Sequence, residues 1–163
     1  MYTKIDTILL ESVLSDVYDE CTALIEVQDR HFEIEMITWE PLSVITNASL
    51  LVNALSSLAF AMLELPLVQT IKIRAYPKSD RSEVSFEVEG WFDPLESPDR
   101  EETEGRSVPS HNLLAAASWL RRLGASLTLN NDEVNGITRA TFSLPLVREQ
   151  RNQTGRLTMP HAA

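Results

Sequence analysis

From Asn47 to Leu65 the chain reads NASLLVNALSSLAFAMLEL, with apolar residues at Leu50, Leu51, Ala54, Leu55, Leu58, Ala59, Met62 and Leu63. That is the i, i+3, i+4, i+7 spacing of one helical face. Asn47 supplies an N-cap, because its side-chain oxygen can take up an orphan amide of the first turn. Pro66 ends the run, since the residue before a proline is driven out of the helical region. Glu64 is the one charge between those ends. The pattern predicts a core helix covered on most sides.

Upstream, Thr3 to Gln28 reads as an amphipathic helix. Ile5, Leu9, Val13, Val17, Leu24 and Ile25 lie near one face, and Glu11, Asp16, Asp19 and Glu20 lie mostly opposite. From His31 to Ile37 the period switches to two: Phe32, Ile34 and Met36 alternate with His31, Glu33 and Glu35, as in a half-buried strand. Pro41 to Thr46 reads as a connector into the central helix. Val68 to Tyr76 and Glu83 to Glu89 are two more alternating runs, and PKSDRS between them reads as a hairpin turn.

Asp93 to Ser110 holds three prolines, many charges and almost nothing to bury, which predicts a long mobile loop. Asn112 to Leu123 returns to helix, with Ser110 as its cap and Gly124 closing it. Ala125 to Asn130 and Gly136 to Leu144 read as a final pair of strands around the turn NDEVNG. Arg148 to Ala163 is polar and aperiodic, the pattern of a disordered tail. The order α-β-α-β-β-loop-α-β-β predicts an α+β two-layer sandwich over residues 1–147. Its mixed, mostly antiparallel sheet should carry the helices on one face.

Composition narrows the function classes. A chain of 163 residues fits one domain that can bury a core without disulfides or metal. The formal charge of −10, from 24 acidic and 14 basic side chains, repels phosphate backbones and argues against nucleic-acid binding. The single Cys21 permits no internal disulfide and suits a reducing cytoplasm. No signal peptide precedes the first helix and no apolar run is long enough to cross a membrane. The expectation is a soluble cytoplasmic domain. No Ser-His-Asp, Cys-His or metal-ligand spacing stands out, so no catalytic or metal-binding residue is expected.

The closing segment GASLTLNNDEVNGITRATFSLPL resembles the last hairpin of the ATP-binding domain of sensor histidine kinases, the Bergerat-type fold of the GHKL proteins. In that family a helix end with glycine leads to a strand, a turn with glycine, and a strand ending in a Leu-Pro-Leu-type tripeptide. The opening helix, the strand after it and the central helix also resemble their counterparts, so the likeness spans roughly Ile5 to Val147. It implies a nucleotide pocket built from three motifs.

Mapped by the resemblance, each motif is altered. The family's central helix carries two asparagines four residues apart, one of which holds the Mg²⁺ that bridges the nucleotide phosphates. With Asn47 in place of the family's acidic residue at the helix start, these fall on Ser57 and Ala61, and the family's following basic residue becomes Glu64. Alanine offers a hard cation no oxygen, and a carboxylate repels phosphate. A register matching Asn53 to the first asparagine puts Ser57 on the second, so neither register keeps the pair. The family's Asp-x-Gly-x-Gly, whose carboxylate accepts from adenine, lands on Gly90, Phe92 and Pro94; its carboxylate is lost unless Glu89 or Asp93 substitutes. The glycine pair ahead of the last helix corresponds to Ser110, His111 and Asn112.

Each residue also has a plainer reading. Ser56 and Ser57 suit close helix packing, and Trp91 with Phe92 can plug the vacated pocket. His31 and His111 read as polar surface positions. The resemblance also places the phosphorylatable histidine in a helical hairpin ahead of the ATP domain, and Met1 stands at the domain-like helix. The expected function is a non-catalytic regulatory or interaction module in signal transduction. Its partner is a protein, a phosphorelay component among the options, and a homodimer is the competing arrangement. No cofactor is expected. The alternative is a divergent ATP-binding, kinase-like or anti-sigma serine-kinase-type protein, and it alone would take ATP and Mg²⁺.

Overall fold

The computed structural model describes residues 4–38, 40–96 and 110–147. Most of the loop expected after Asp93, at 97–109, and the tail expected at 148–163 lie outside the described residues. The elements in order are β1 (Asp6–Leu9), α1 (Leu10–Val27), β2 (His31–Met36), β3 (Ser43–Thr46), α2 (Ala48–Leu63), β4 (Thr70–Pro77) and β5 (Glu83–Trp91). A single 3-10 turn, Pro94–Glu96, follows β5; then come α3 (His111–Arg122), β6 (Thr128–Asp132) and β7 (Ile137–Pro145).

Five strands form one sheet in the order β2-β4-β5-β7-β6, with β2 parallel to β4 and every other neighbour antiparallel. Alternation sorts the side chains. Ile71, Ile73, Ala75, Val84, Phe86, Val88, Ala140, Phe142 and Leu144 are buried under the helix layer. Phe86 and Phe142 are cross-strand partners whose rings stack at 4.8 Å. The opposite face is polar and laced with ion pairs, among them Lys78–Glu83 and Arg74–Glu35. This is the expected α+β two-layer sandwich.

The three helices lie side by side, with α2 in the middle, against α1 on one flank and α3 on the other. The caps follow the sequence. Asn47 Oδ1 accepts from the Leu50 amide at 2.9 Å, and Ser110 Oγ accepts from the Leu113 amide at 3.0 Å. Gly124, at φ +74°, turns the chain out of α3 in the left-handed region that glycine tolerates. At the far end of α2, Arg30 donates to the Leu65 carbonyl at 3.1 Å, putting a cation where the helix dipole is negative.

Two expectations are corrected. The opening helix starts at Leu10, because Asp6–Leu9 is an extended strand paired antiparallel with Ser43–Thr46. The presumed connector is therefore partly a strand. Leu9, the residue ahead of α1, makes no side-chain cap; the Leu10 amide instead donates to the Leu42 carbonyl at 2.8 Å. The pairing itself caps the helix. β3 also meets the end of β7, where the Val147 amide donates to the Ser43 carbonyl at 3.0 Å.

Candidate functional site

The end of α2, the end of β5 and the start of α3 meet at one end of the sandwich, and they carry the positions singled out in the sequence. α2 buries Leu51, Ala54, Leu55, Leu58 and Ala59 completely, and its outer stripe of Asn53, Ser57 and Ala61 stays half-buried. Ser56, one position away, is buried, as its packing reading implies; Ser57 lies on the outer stripe. Glu64 follows on the same side and is exposed.

Its carboxylate has a partner. Asn112 Nδ2, in the first turn of α3, donates to Glu64 Oε1 at 2.6 Å. Two of the positions that the resemblance assigns to the phosphates are thus bonded to each other across the gap between α2 and α3. Ser110 is engaged as well, since its hydroxyl accepts from Leu113 in the cap. His111 is exposed.

Gly90 lies in β5, opposite Ile71 of β4 and Thr138 of β7, and its missing side chain would face the helices. A Cβ there would stand 2.9 Å from Val68 Cγ2 and 3.3 Å from Met62 Sδ. Val68 is 1% exposed and Met62 3% exposed. Apolar core fills the space beside the strand at this point.

The next residues turn away from that space. Trp91 projects onto the open face of the sheet, where its indole N–H donates to Glu89 Oε2 at 2.8 Å. The expectation that Trp91 plugs a vacated pocket is therefore corrected: strand alternation sends it to the other face, and Val68 and Met62 occupy the space. Phe92 packs partly buried against the core. Its amide donates to the Gly136 carbonyl at 2.9 Å. Gly136 sits at φ +68°, and a Cβ there would meet the Phe92 carbonyl oxygen at 2.1 Å, so only glycine lets the two turns touch. Asp93 Oδ1 accepts from the Leu95 amide at 2.9 Å, which commits that carboxylate to a local turn.

Glu89 does not reach the helix side either. It is fully buried on the open face, with Arg139 Nε at 3.1 Å, Arg74 Nη1 at 3.6 Å and the Trp91 indole on its other oxygen. A buried carboxylate needs such partners, because its hydration is lost. The cluster went unnoticed in the sequence. Its signal was the register of the two strands, which sets Glu89 directly opposite Arg139.

Among the described residues, surface cavities lie elsewhere, two of which stand out. One of about 300 Å³ sits between α1 and β2, lined by Glu11, Leu14, Ser15, Tyr18, Ile34 and Met36. The other, of about 480 Å³, is more polar and lies near Lys78, Ser85 and Ser143.

Comparison with solved structures decides the architecture. The catalytic domain of the histidine kinase ThkA matches with a TM-score of 0.66, over 87% of this chain and 97% of that one, at 16% identity. The fold is that of a histidine kinase ATP-binding domain. The Acinetobacter baumannii histidine kinase AdeS matches at TM-score 0.65 over 91% of this chain and 70% of its own, at 11% identity. The mycobacterial sensor histidine kinase MprB matches at 0.59 over 88% and 98%, at 16% identity. No family model and no curated protein matches the sequence. Identities this low carry the histidine kinase fold alone. Among the described residues no helix is long and apolar enough to cross a membrane.

Proposed function

We propose that this chain uses the histidine kinase fold as a non-catalytic module of signal transduction, regulating or binding a protein partner without turning over nucleotide. The observation that carries the reading is Gly90. It stands where the resemblance puts the adenine-binding carboxylate, and it is packed against Val68 and Met62 with no room for a side chain. The bond between Asn112 and Glu64 supports the same reading at the phosphate end. Ala61 offers no oxygen at the metal-binding position. The residues present do not fit Mg·ATP held in the family's manner.

The partner is a protein with a basic face. Between Asp93 and Ser110 the sequence sets Asp93, Glu96, Asp99, Glu101, Glu102 and Glu104 against Arg100 and Arg106. Association through that segment would weaken with added salt. A phosphorelay component fits this description.

Isothermal titration with ATP and ADP, with and without Mg²⁺, tests the reading. The expected result is no saturable heat at millimolar nucleotide and no appreciable rise in melting temperature, since a ligand well below its Kd adds less than about RT of stability. Saturable binding that Ala61→Glu abolishes would overturn it and establish the divergent ATP-binding alternative.

A further inference from the structure

β1 is the free edge of the smaller sheet. Among the described residues it pairs with β3 on one side, and no strand lies along the other. The Leu10 amide, which donates to the Leu42 carbonyl, sets the phase of this ladder. With Asp6 opposite Thr46 and Ile8 opposite Val44, the even-numbered residues bond to β3. The Asn47 side chain continues the phase by donating to the Lys4 carbonyl at 2.7 Å. Ile5, Thr7 and Leu9 therefore direct their backbone N–H and C=O groups outward. An unpaired row of this kind is a template for another strand.

The same three residues carry their side chains on the outer face of the β1-β3 ribbon, beside Ile45. Ile5 is 64% exposed, Leu9 43% and Ile45 54%, whereas Val44 and Thr46 on the inner face are buried. A two-stranded ladder is marginal by itself, and this one leaves three large aliphatic side chains in water. Exposed apolar residues grouped in this way mark an interaction surface. The surface is remote from the candidate site. β3 leads into the start of α2, and that helix of 16 residues sets the ribbon about 24 Å from the site at its other end.

Charge and register select the occupant. The chain carries a formal charge of −10, so two copies repel wherever their facing surfaces are unbalanced. The ribbon is balanced, because its charges are Lys4 and Asp6, paired with each other at 3.3 Å. It offers a basic partner no unmatched carboxylate and an acidic partner no unmatched cation. It does match itself. When two β1 strands pair antiparallel, outward-bonding residues must face one another, which limits the registers. With Thr7 on a twofold axis, Ile5 of each copy lies opposite Leu9 of the other, and Thr7 lies opposite Thr7. Aliphatic and Thr–Thr cross-strand pairs are both favourable. Ile45 flanks Thr7 within each copy and extends the apolar cluster on both sides of the axis. The adjacent registers are worse: one sets Asp6 directly against Asp6, and the other runs Ile5 against Glu11, which is already helical.

We infer that β1 pairs antiparallel with β1 of a second copy of this chain, with Thr7 on the twofold axis. Two β1-β3 ribbons thereby join into one four-stranded sheet, and Ile5 and Leu9 cover each other across the join. The interface is isologous, the commonest arrangement of soluble oligomers. It lies away from the nucleotide face, so it stands whether or not nucleotide binds there.

Sedimentation equilibrium of the full chain, at up to about 1 mM protein, should show a monomer–dimer equilibrium. Thr7→Pro removes an outward amide and leaves the bonds to β3 in place. It deletes two hydrogen bonds of the dimer, one from each copy, and should weaken association about tenfold or more. Leu9→Lys keeps every backbone group and should weaken association several-fold by removing both Ile5–Leu9 pairs. Leu129→Lys, at a similarly exposed leucine on the β6 edge, should leave association unchanged. Amide exchange at Thr7 and Leu9 should slow as protein concentration rises. A chain that stays monomeric at the highest concentration overturns the inference. A dimer that withstands both Thr7→Pro and Leu9→Lys, or that Leu129→Lys dissociates, overturns it by placing the contact elsewhere. Exchange at Thr7 and Leu9 that is independent of concentration in a dimeric sample does the same. If circular dichroism shows Thr7→Pro unfolded, Leu9→Lys and the exchange measurement still decide.

Discussion

Replacing Gly90 by alanine measures how completely the protein has filled the space beside β5. The backbone there is extended and paired on both sides, so alanine suits the local conformation. Alone, that change would stabilise by about 0.5–1 kcal/mol, by narrowing the unfolded ensemble. Against it stands the new Cβ, 2.9 Å from Val68 Cγ2 and 3.3 Å from Met62 Sδ. Carbon atoms prefer roughly 3.5–4.0 Å. Val68 has a short, stiff side chain inside the core, so it can yield only by shifting its backbone or leaving its rotamer. Overpacking of this kind costs about 1–3 kcal/mol, which leaves Gly90→Ala destabilised by roughly 0.5–2 kcal/mol.

The clash has a named partner, which makes a double-mutant cycle decisive. Val68→Ala deletes two buried methyl groups and should cost about 2–4 kcal/mol as transfer and cavity terms together. The double variant should lose less than the sum, with a favourable coupling of about 1–2 kcal/mol, because the new methyl occupies the space the valine leaves. Urea denaturation of the four proteins at one temperature gives every corner of the cycle. Additivity to within about 0.5 kcal/mol, or a Gly90→Ala protein more stable than the parent, would refute the claim that Val68 fills this position.

Three other predictions concern neighbouring features. Arg139→Leu should destabilise by roughly 2–4 kcal/mol in urea denaturation; the loss is less than for a fully buried pair because Arg74 remains beside Glu89 and Arg139 is partly exposed. Ser110→Ala should cost about 1 kcal/mol, the value of an N-cap, seen as a lowered melting temperature, and Ser110→Asp should recover most of it. The Asn135 side-chain amide, and after it the Asn135 backbone N–H, hold the Asp132 carboxyl below its ordinary value. A depressed carboxylate stabilises above its unfolded pKa and loses that contribution as pH falls through the folded one. Asp132→Ala should therefore weaken the protein at pH 7, and the deficit should shrink as the pH is lowered below the ordinary carboxylate range, which denaturation across that range checks.

Where a segment's period reported its environment, the fold was legible. α2, α3, β4, β5 and the closing hairpin declare themselves by apolar spacing, by Asn47 and Ser110 as caps, and by Gly136 in the last turn. β1 did not, because Ile5 and Leu9 are four apart and continue the helical spacing of Val13 and Val17. What makes Asp6–Leu9 a strand is Ser43–Thr46 beside it, a long-range partner that no local window contains. The β-branched pairs Thr7-Ile8 and Val44-Ile45 were the available signal. The candidate site could be named from the sequence only as the positions that the resemblance assigns, Ser57, Ala61, Gly90, Phe92, Ser110 and Asn112. How they are occupied was not legible, because the Glu64–Asn112 bond and the Val68 packing depend on residues brought together from separate elements. Trp91 misled for a simpler reason: one step along a strand reverses the face, and the end of β5 was set too early to assign it.

The two faces of α2 bear differently on the proposed loss of the pocket. The face toward the sheet holds Leu51, Leu55, Leu58 and Ala59 at no exposure, and the core of the domain rests on it. The ligand positions given by the resemblance, Ser57 and Ala61, lie on the outer stripe and touch that core little. Replacing a polar ligand by serine or alanine there removes no buried apolar area, and in a helix alanine is the most favourable residue. Gly90, where the resemblance puts the carboxylate, differs, because it faces inward and Val68 and Met62 pack against it. Reinstating oxygens on the stripe alone, through Ala61→Asn, should therefore leave stability within about 0.5–1 kcal/mol of the parent. By this argument it should also create no nucleotide binding, since the space at Gly90 stays filled. A gain of saturable Mg·ATP heat from Ala61→Asn by itself would show that the inner wall does not control the site.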